Sequence, residues 1–311
     1  MTASRRRVAV VGAGVIGTAA AARIAADGND VVLLAAQPVG STMVSRASFA
    51  WVNSHGKAPE SYRLLNDDGR RVHAERSAAH ATPWFVRTGA EIDGIEHPDD
   101  GYVDTRAFLA AHLDDLRRAG GTVRETMRIR SLDQVRDLVG PVDTIVVAAG
   151  AGTAELVASG ASGGRRLSGS TGADGFLARI EAGAHPIDRI HSIDGLQVRP
   201  DGSGWVAAQS LTIEAALRRD GVPASVGSVW PALRDEIDAA LGWRAADGAR
   251  VMVDHAARPH ADDGSPVVGP VADDVYVALS HSGVTLAPLL GELIAGDLRG
   301  DADPRLTPFR P

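Results

Sequence analysis

Val8-Ala9-Val10-Val11-Gly12-Ala13-Gly14-Val15-Ile16-Gly17 is the stretch on which the reading of this sequence turns. Its first four residues form an apolar run, as a strand buried on both faces requires. The three glycines have separate tasks: Gly12 permits a tight turn, Gly14 lets backbone approach a pyrophosphate, and Gly17 lets a helix pack close to the strand. Small residues from Val15 to Asp27 predict that helix, which Gly28 ends, and Val31-Val32-Leu33-Leu34 predicts a second buried strand. A glycine pattern alone is weak evidence, since a structural turn also fits it. Strand, glycine turn, helix and strand in succession instead point to dinucleotide binding, with phosphate at the helix N-terminus. The preceding Arg5-Arg6-Arg7 imitates the start of an export leader, but Val8 to Val11 is too short for an export core and runs straight into the turn. A cytoplasmic protein is expected. No stretch approaches ~18 uninterrupted apolar residues, so no membrane span is expected either.

An acid for the ribose hydroxyls would be due at the end of the second strand, where the chain instead reads Ala35-Ala36-Gln37. Losing a charged hydrogen bond there costs about 1.5–3 kcal/mol. Farther on, Asp104 or Thr105 caps a predicted helix to Ala119, a short strand is predicted over 122–129, and Thr144 to Ala149 predicts a central strand. Gly150-Ala151-Gly152 after it suits either a second close approach of backbone to ligand or a simple turn. Gly160 to Gly175 is rich in Gly and Ser and reads as a crossing between domains. Strands at 196–199, 204–209 and 250–253, with a helix from Trp230 to Leu241, predict an antiparallel layer that shapes a substrate pocket. At the C-terminus a strand, Val275 to Leu279, leads through Ser280-His281-Ser282-Gly283 into an apolar helix ended by Gly296. Pro288 is tolerated there in a first turn. Both ends of the chain are thus expected in one sheet, with a second helix N-terminus open to an electron-rich ligand.

Composition narrows the chemistry. The 311 residues carry a net charge of −7, with 44% hydrophobic and 23% charged, which is ordinary globular usage and room for two domains or one large one. The absence of cysteine removes disulfides, thiolate nucleophiles, Cys-ligated zinc and iron–sulfur clusters. Lys57 is the only lysine, so a Schiff base has one possible site in a poor context. No arginine block has the aromatic interleaving of a nucleic-acid groove, and His255, His260 and the other histidines lack metal-ligand spacing.

With these residues in view, the chain resembles the D-amino-acid oxidase family of flavoproteins, which includes glycine and sarcosine oxidases. The likeness rests on Val8 to Leu34, on Ser45-Arg46-Ala47-Ser48-Phe49-Ala50-Trp51-Val52-Asn53, and on Val146 to Gly150. Its most specific part is Arg258-Pro259-His260-Ala261-Asp262-Asp263-Gly264-Ser265-Pro266-Val267-Val268-Gly269, similar to the family's RP…DG.P..G segment, followed by Tyr276 to Pro288. The resemblance implies an α/β fold: a Rossmann-type FAD-binding domain from residues 1–80, 122–165 and 250–311, and a smaller, shortened α+β substrate domain with an antiparallel sheet from 81–121 and 166–249. It implies hydride removal from the carbon bearing an amine, giving an imine. Oxygen or an electron-acceptor protein would take the electrons, and a non-catalytic relative with a weakened FAD site is the alternative.

The same resemblance assigns residues. Gly12, Gly14, Val15, Ile16 and Gly17, with Ser45, Arg46 and Ser48, would hold the cofactor's pyrophosphate side; Ala149 and Gly150 follow the inner strand. Ser282, Gly283, Val284 and Thr285, with His281, match the segment against the flavin's pyrimidine end. Arg258 matches the arginine that binds a substrate carboxylate, as a bidentate guanidinium would; a surface or domain-bridging salt bridge is the alternative. Lys57 is a candidate beside the flavin, and His55 reads as a residue of a solvated loop. Ser280 and Thr285 stand where many members have glycine. Without cysteine, and without histidine at 41–48, noncovalent FAD is expected; the partners expected are a small amine or amino acid, with no nucleic acid, membrane or metal.

Overall fold

The computed structural model describes residues 5–41, 43–158, 167, 173–202 and 204–311. Its strands are β1 (Arg7–Val11), β2 (Asp30–Leu34), β3 (Trp51–Val52), β4 (Phe85–Arg87), β5 (Ala90–Ile92), β6 (Ile95–His97), β7 (Gly101–Val103), β8 (Thr122–Arg124), β9 (Thr144–Val147), β10 (Ala173–Glu181), β11 (Ile190–Ile193), β12 (Leu196–Pro200), β13 (Trp205–Ser210), β14 (Val251–Arg258), β15 (Val267–Ala272) and β16 (Val275–Leu279). The helices are α1 (Val15–Ala26), α2 (Met43–Arg46), α3 (Glu60–Ala79), α4 (Thr105–Arg118), α5 (Leu132–Val139), α6 (Thr153–Ala158), α7 (Leu211–Asp220), α8 (Val226–Leu241) and α9 (Gly283–Arg299).

A six-stranded sheet in the order β15-β16-β9-β1-β2-β8 joins both ends of the chain. It is parallel except for β15, which runs against β16. The apolar run in β1 follows from its central place: Val8 and Val10 enter the core under α1, α4 and α9, while Ala9 and Val11 enter the core that α5 and α6 cover. Alanines on α1 let α9 approach so closely that a side chain at Gly291 would sit 2.9 Å from the Ala19 carbonyl oxygen. Helix α4, which the sequence division groups with the substrate domain, packs against α1.

The second sheet, β14-β10-β13-β12-β11-β5-β6, is antiparallel except where β5 pairs with β11. Ile213, Val229, Leu233 and Ile237 of α7 and α8 cover one face, and Phe49 and Tyr102 pack on the other through Leu177, Ile190 and Ala207. A mixed α/β architecture with a parallel sheet and an antiparallel sheet is therefore what the sequence predicts and the chain adopts. The Gly/Ser-rich crossing lies largely outside the described residues. Among those described, no helix is long and apolar enough to cross a membrane.

Three local expectations are corrected. The strand predicted over 122–129 ends at Arg124, because Thr126 takes a positive φ of 60° and turns the chain aside. Helix α8 starts at Val226 rather than Trp230, because Ser225 and Ser228 cap it reciprocally one turn earlier. Pro288 is the sixth residue of α9, beyond the first turn. Its missing N–H leaves the Val284 carbonyl without its intrahelical partner, and the buried His73 replaces it, with Nε2 donating at 2.8 Å. Trp84 Nε1 donates to His73 Nδ1 at 3.2 Å, which fixes the tautomer. Burial is the first cause that pushes the His73 pKa down to about 4.

Candidate active site

One cavity of about 1080 Å³ opens at the C-terminal ends of β1, β2, β9 and β16 and extends to the antiparallel sheet. This is where open parallel sheets bind ligands, and the volume exceeds that of a single small-molecule site. Gly12, Gly14, Val15, Ile16, Ser45, Ser48, Lys57, Ala149, Gly150, Arg258 and Ser282 to Thr285 all line it. Gly17 and Arg46 do not. A Cβ on Gly17 would collide with the Gly12 carbonyl oxygen, so its place is in the turn behind the wall. Arg46 turns to the antiparallel sheet, where its Nε donates to Asp254 Oδ2 at 3.1 Å and its carbonyl accepts from Arg179 at 2.8 Å. It pins the 45–48 loop instead of facing the cavity.

Two helix N-termini meet this cavity without side-chain caps. At α1 the N-cap is Gly14, no acid occupies the first turn, and a Cβ on Gly14 would meet nothing nearer than Ser45 Oγ at 3.9 Å. At α9 the N-cap is Ser282, whose hydroxyl instead accepts from Tyr62 at 2.7 Å. Free N–H groups and the positive end of each helix dipole are thus turned toward one space. Ser280 Oγ is buried on the same wall and has no hydrogen-bond partner. Gly12 has a φ of 108°, and a Cβ there would lie 2.9 Å from Ala149 Cα, so the crossing of β1 and β9 requires glycine. Open backbone, free donors and an orphaned hydroxyl fit a long ligand with anionic and electron-rich parts.

At the end of β2 the wall is made by Leu34 and Ala36, while Ala35 is buried with its backbone bonded to Arg124 and Met127. Arg128, Arg130 and Glu155 reach the cavity as well. The sequence reading missed all three because they lie past the turn at Thr126 and past the glycines after β9.

The far end contains charges that arrive already paired. Arg258, at the end of β14, donates from Nη1 and Nη2 to Glu214 at 2.7 and 2.6 Å, and from Nη2 to Gln209 at 3.0 Å. The Glu214 side chain is 2% exposed and also accepts from the Phe176 amide at 3.1 Å. A side chain at Gly175 would strike the guanidinium, so that glycine makes its seat. His55 is not in a solvated loop: Nε2 meets the buried Asp100 carboxylate at 2.9 Å, Asp100 also accepts from Trp51 Nε1 at 2.8 Å, and the His97 ring lies 4.1 Å away. Facing an acceptor-only carboxylate, Nε2 carries the proton. Lys57 lies 6.0 Å from the Tyr62 ring centre, and burial lowers its pKa. His281, open to solvent on one side, has its pKa pushed to about 4 by desolvation first and then by Lys57, Arg258 and His260. Its ring is neutral near pH 7. Among the described residues no cluster of three or more His, Asp or Glu side chains could hold a metal ion.

Comparison with known proteins bears on the fold and the family. No curated protein matches by sequence. Among solved structures, glycine oxidase from Geobacillus kaustophilus superposes with a TM-score of 0.74 at 17% identity, covering 98% of each chain. Iminodiacetate oxidase from Chelativorans sp. BNC1 gives 0.71 at 18% identity, over 98% of this chain and 99% of that one. L-amino acid deaminase from Proteus vulgaris, with its specific insertion deleted, gives 0.77 at 16% identity, over 98% and 93%. These likenesses establish the fold. The sequence profile of the DAO family, FAD dependent oxidoreductase, matches residues 7–91 and 70–296, nearly the whole length. The chain therefore belongs to the DAO family of FAD-dependent oxidoreductases.

Proposed function

We propose that this chain binds FAD noncovalently and oxidises a small amine or amino acid, hydride leaving the carbon that bears nitrogen and an imine remaining. The observation that carries the reading is the pair of uncapped helix N-termini, α1 and α9, on one cavity that continues to the antiparallel sheet. Gly12, Gly14, Val15 and Ile16 would hold the pyrophosphate, with Ser45 and Ser48 beside them. Ala149 and Gly150 would face the cofactor's middle, and Ser282 to Thr285 its pyrimidine end. Gly17 and Arg46 act one step back, through the turn and the loop. The absence of cysteine, and of histidine at 41–48, supports a noncovalent bond. We also propose that residues 1–80, 122–165 and 250–311 form the FAD-binding part, and that α4 is counted with it because it packs on α1.

When bound, FAD supplies the acceptor for the two electrons that leave as hydride. The protein supplies position and charge. Backbone donors at the start of α9, with Lys57 nearby, favour negative charge at that end of the cavity. His281 is neutral and offers a hydrogen bond without adding charge. Trp51, Ile92 and Leu211 give the sheet-side end apolar walls.

The test is to load the purified protein with FAD, remove the excess, and add amines and amino acids without oxygen. Retained flavin that bleaches with one of them, followed by a carbonyl compound and an amine or ammonia as the imine hydrolyses, is the expected result. A protein that stays colourless in excess FAD ends the reading. Peroxide on admitting air marks an oxidase; turnover with an artificial acceptor alone marks a dehydrogenase that uses an acceptor protein.

A further inference from the structure

We infer that the substrate is an amine with no carboxylate on the carbon that is oxidised, and that Glu214 sets this preference. The inference rests on the proposed amine oxidation and concerns the end of the same cavity.

The first argument counts hydrogen-bond donors. A guanidinium has five N–H groups, and binds a carboxylate at two points only through two adjacent ones. In Arg258 the edge formed by Nη1 and Nη2 is filled by Glu214, and Gln209 takes the second Nη2 hydrogen, which lies beside Nε–H. The two hydrogens left, on Nε and on the outer side of Nη1, point to opposite sides. No two-point clamp remains for a substrate.

The second argument counts charge. Glu214 is almost wholly buried, so water does not screen it, and with Arg258 it forms a neutral unit. His55 on the same side is held by the buried Asp100 in the same manner. Arg258 and His55 thus each face a buried carboxylate, and Gln197, Gln209 and Ser192 complete a polar wall without charge. Lys57, which has no carboxylate partner among the described residues, sits toward Tyr62, whose hydroxyl bonds Ser282 at the start of α9. A substrate carboxylate beside Arg258 would be a second negative charge next to Glu214, taken out of water without a matching cation. A neutral amine, losing one hydride and one proton to become the imine, meets no such opposition.

The test uses FAD-loaded protein and matched compounds that differ only in charge: glycine and glycinamide, N-methylglycine and its amide, with ethylamine and benzylamine alongside. Flavin reduction by the amides and amines is expected to exceed that by the carboxylates at least about tenfold in kcat/KM. Calorimetric titration with propionate and propionamide gives a readout independent of turnover. Propionate is expected to bind weakly to the wild type and at least about tenfold more tightly to Glu214→Gln, where the Arg258 charge is released. Preference for the carboxylate member of each pair, or weaker propionate binding by Glu214→Gln, overturns the inference. If Glu214→Gln fails to fold, the wild-type pairs decide alone. Failure of every compound to reduce bound flavin removes the proposed reaction instead, and the propionate titration then decides the charge preference of the cavity.

Discussion

His73 gives the account a quantitative test. Its ring is fully buried, donates to the carbonyl that Pro288 leaves free and accepts from Trp84, so protonation would put an uncompensated charge between two groups already satisfied. Its pKa is depressed from 6.5 to about 4 in the folded chain. The unfolded chain therefore binds the extra proton first, and the stabilisation, complete above about pH 6.5, is lost as pH falls toward 4. At about 1.4 kcal/mol per pKa unit, that loss comes to about 3 kcal/mol from this residue. His112, also depressed by burial, adds in the same direction. Urea unfolding at about pH 7.5, 6, 5 and 4.5 should show the decline. His73→Leu should cost about 2–5 kcal/mol at the highest pH, since it leaves the Val284 carbonyl and Trp84 Nε1 unpaired. It should also flatten the acid decline by about 3 kcal/mol relative to wild type. A variant with the wild-type pH dependence refutes the assignment of a neutral, structural His73.

Other consequences follow from single contacts. Gly17→Val places a branched side chain against the Gly12 carbonyl and should abolish FAD retention while lowering the melting temperature of the apoprotein. Arg258→Met strands a buried carboxylate and should cost about 3–5 kcal/mol in denaturant unfolding, most of it recovered when Glu214→Leu is added; an uncorrected double variant would show that the pair contributes more than charge compensation. Arg46→Ala removes one half-buried ion pair while Arg179 keeps Asp254 compensated, so stability should change by no more than about 1 kcal/mol, with FAD affinity in equilibrium titration falling severalfold at most.

What could be read in the sequence was what local pattern encodes. Val8 to Val11 is apolar on both faces because both faces are buried, and the glycines after it are spaced by the turn itself. Strand, polar turn and helix repeat that logic at Val275 to Gly296. Pairs between distant residues left no such mark: Glu214 meets Arg258 across 44 positions, Arg46 meets Asp254 across 208, and His73 reaches Val284 across 211. One weak signal existed. Ile213 and Leu217 define the inward side of α7, and Glu214 beside them is an acid carried toward the core, where it requires a cation. Arg258 was placed on the cavity wall by its segment, but only the fold reveals that its charge is already met.

The most direct measurement is FAD binding to apoprotein of the wild type and of Gly14→Asp. Gly14 has ordinary backbone angles and open space before it, so aspartate fits and caps α1, adding about 0.3 kcal/mol to stability. The same carboxylate would stand where the pyrophosphate belongs. Calorimetric titration should give one FAD per chain for the wild type, and an affinity lower by at least about a hundredfold for a variant that melts no lower than its parent. Equal FAD affinity in the two proteins would contradict the placement of the cofactor at this helix.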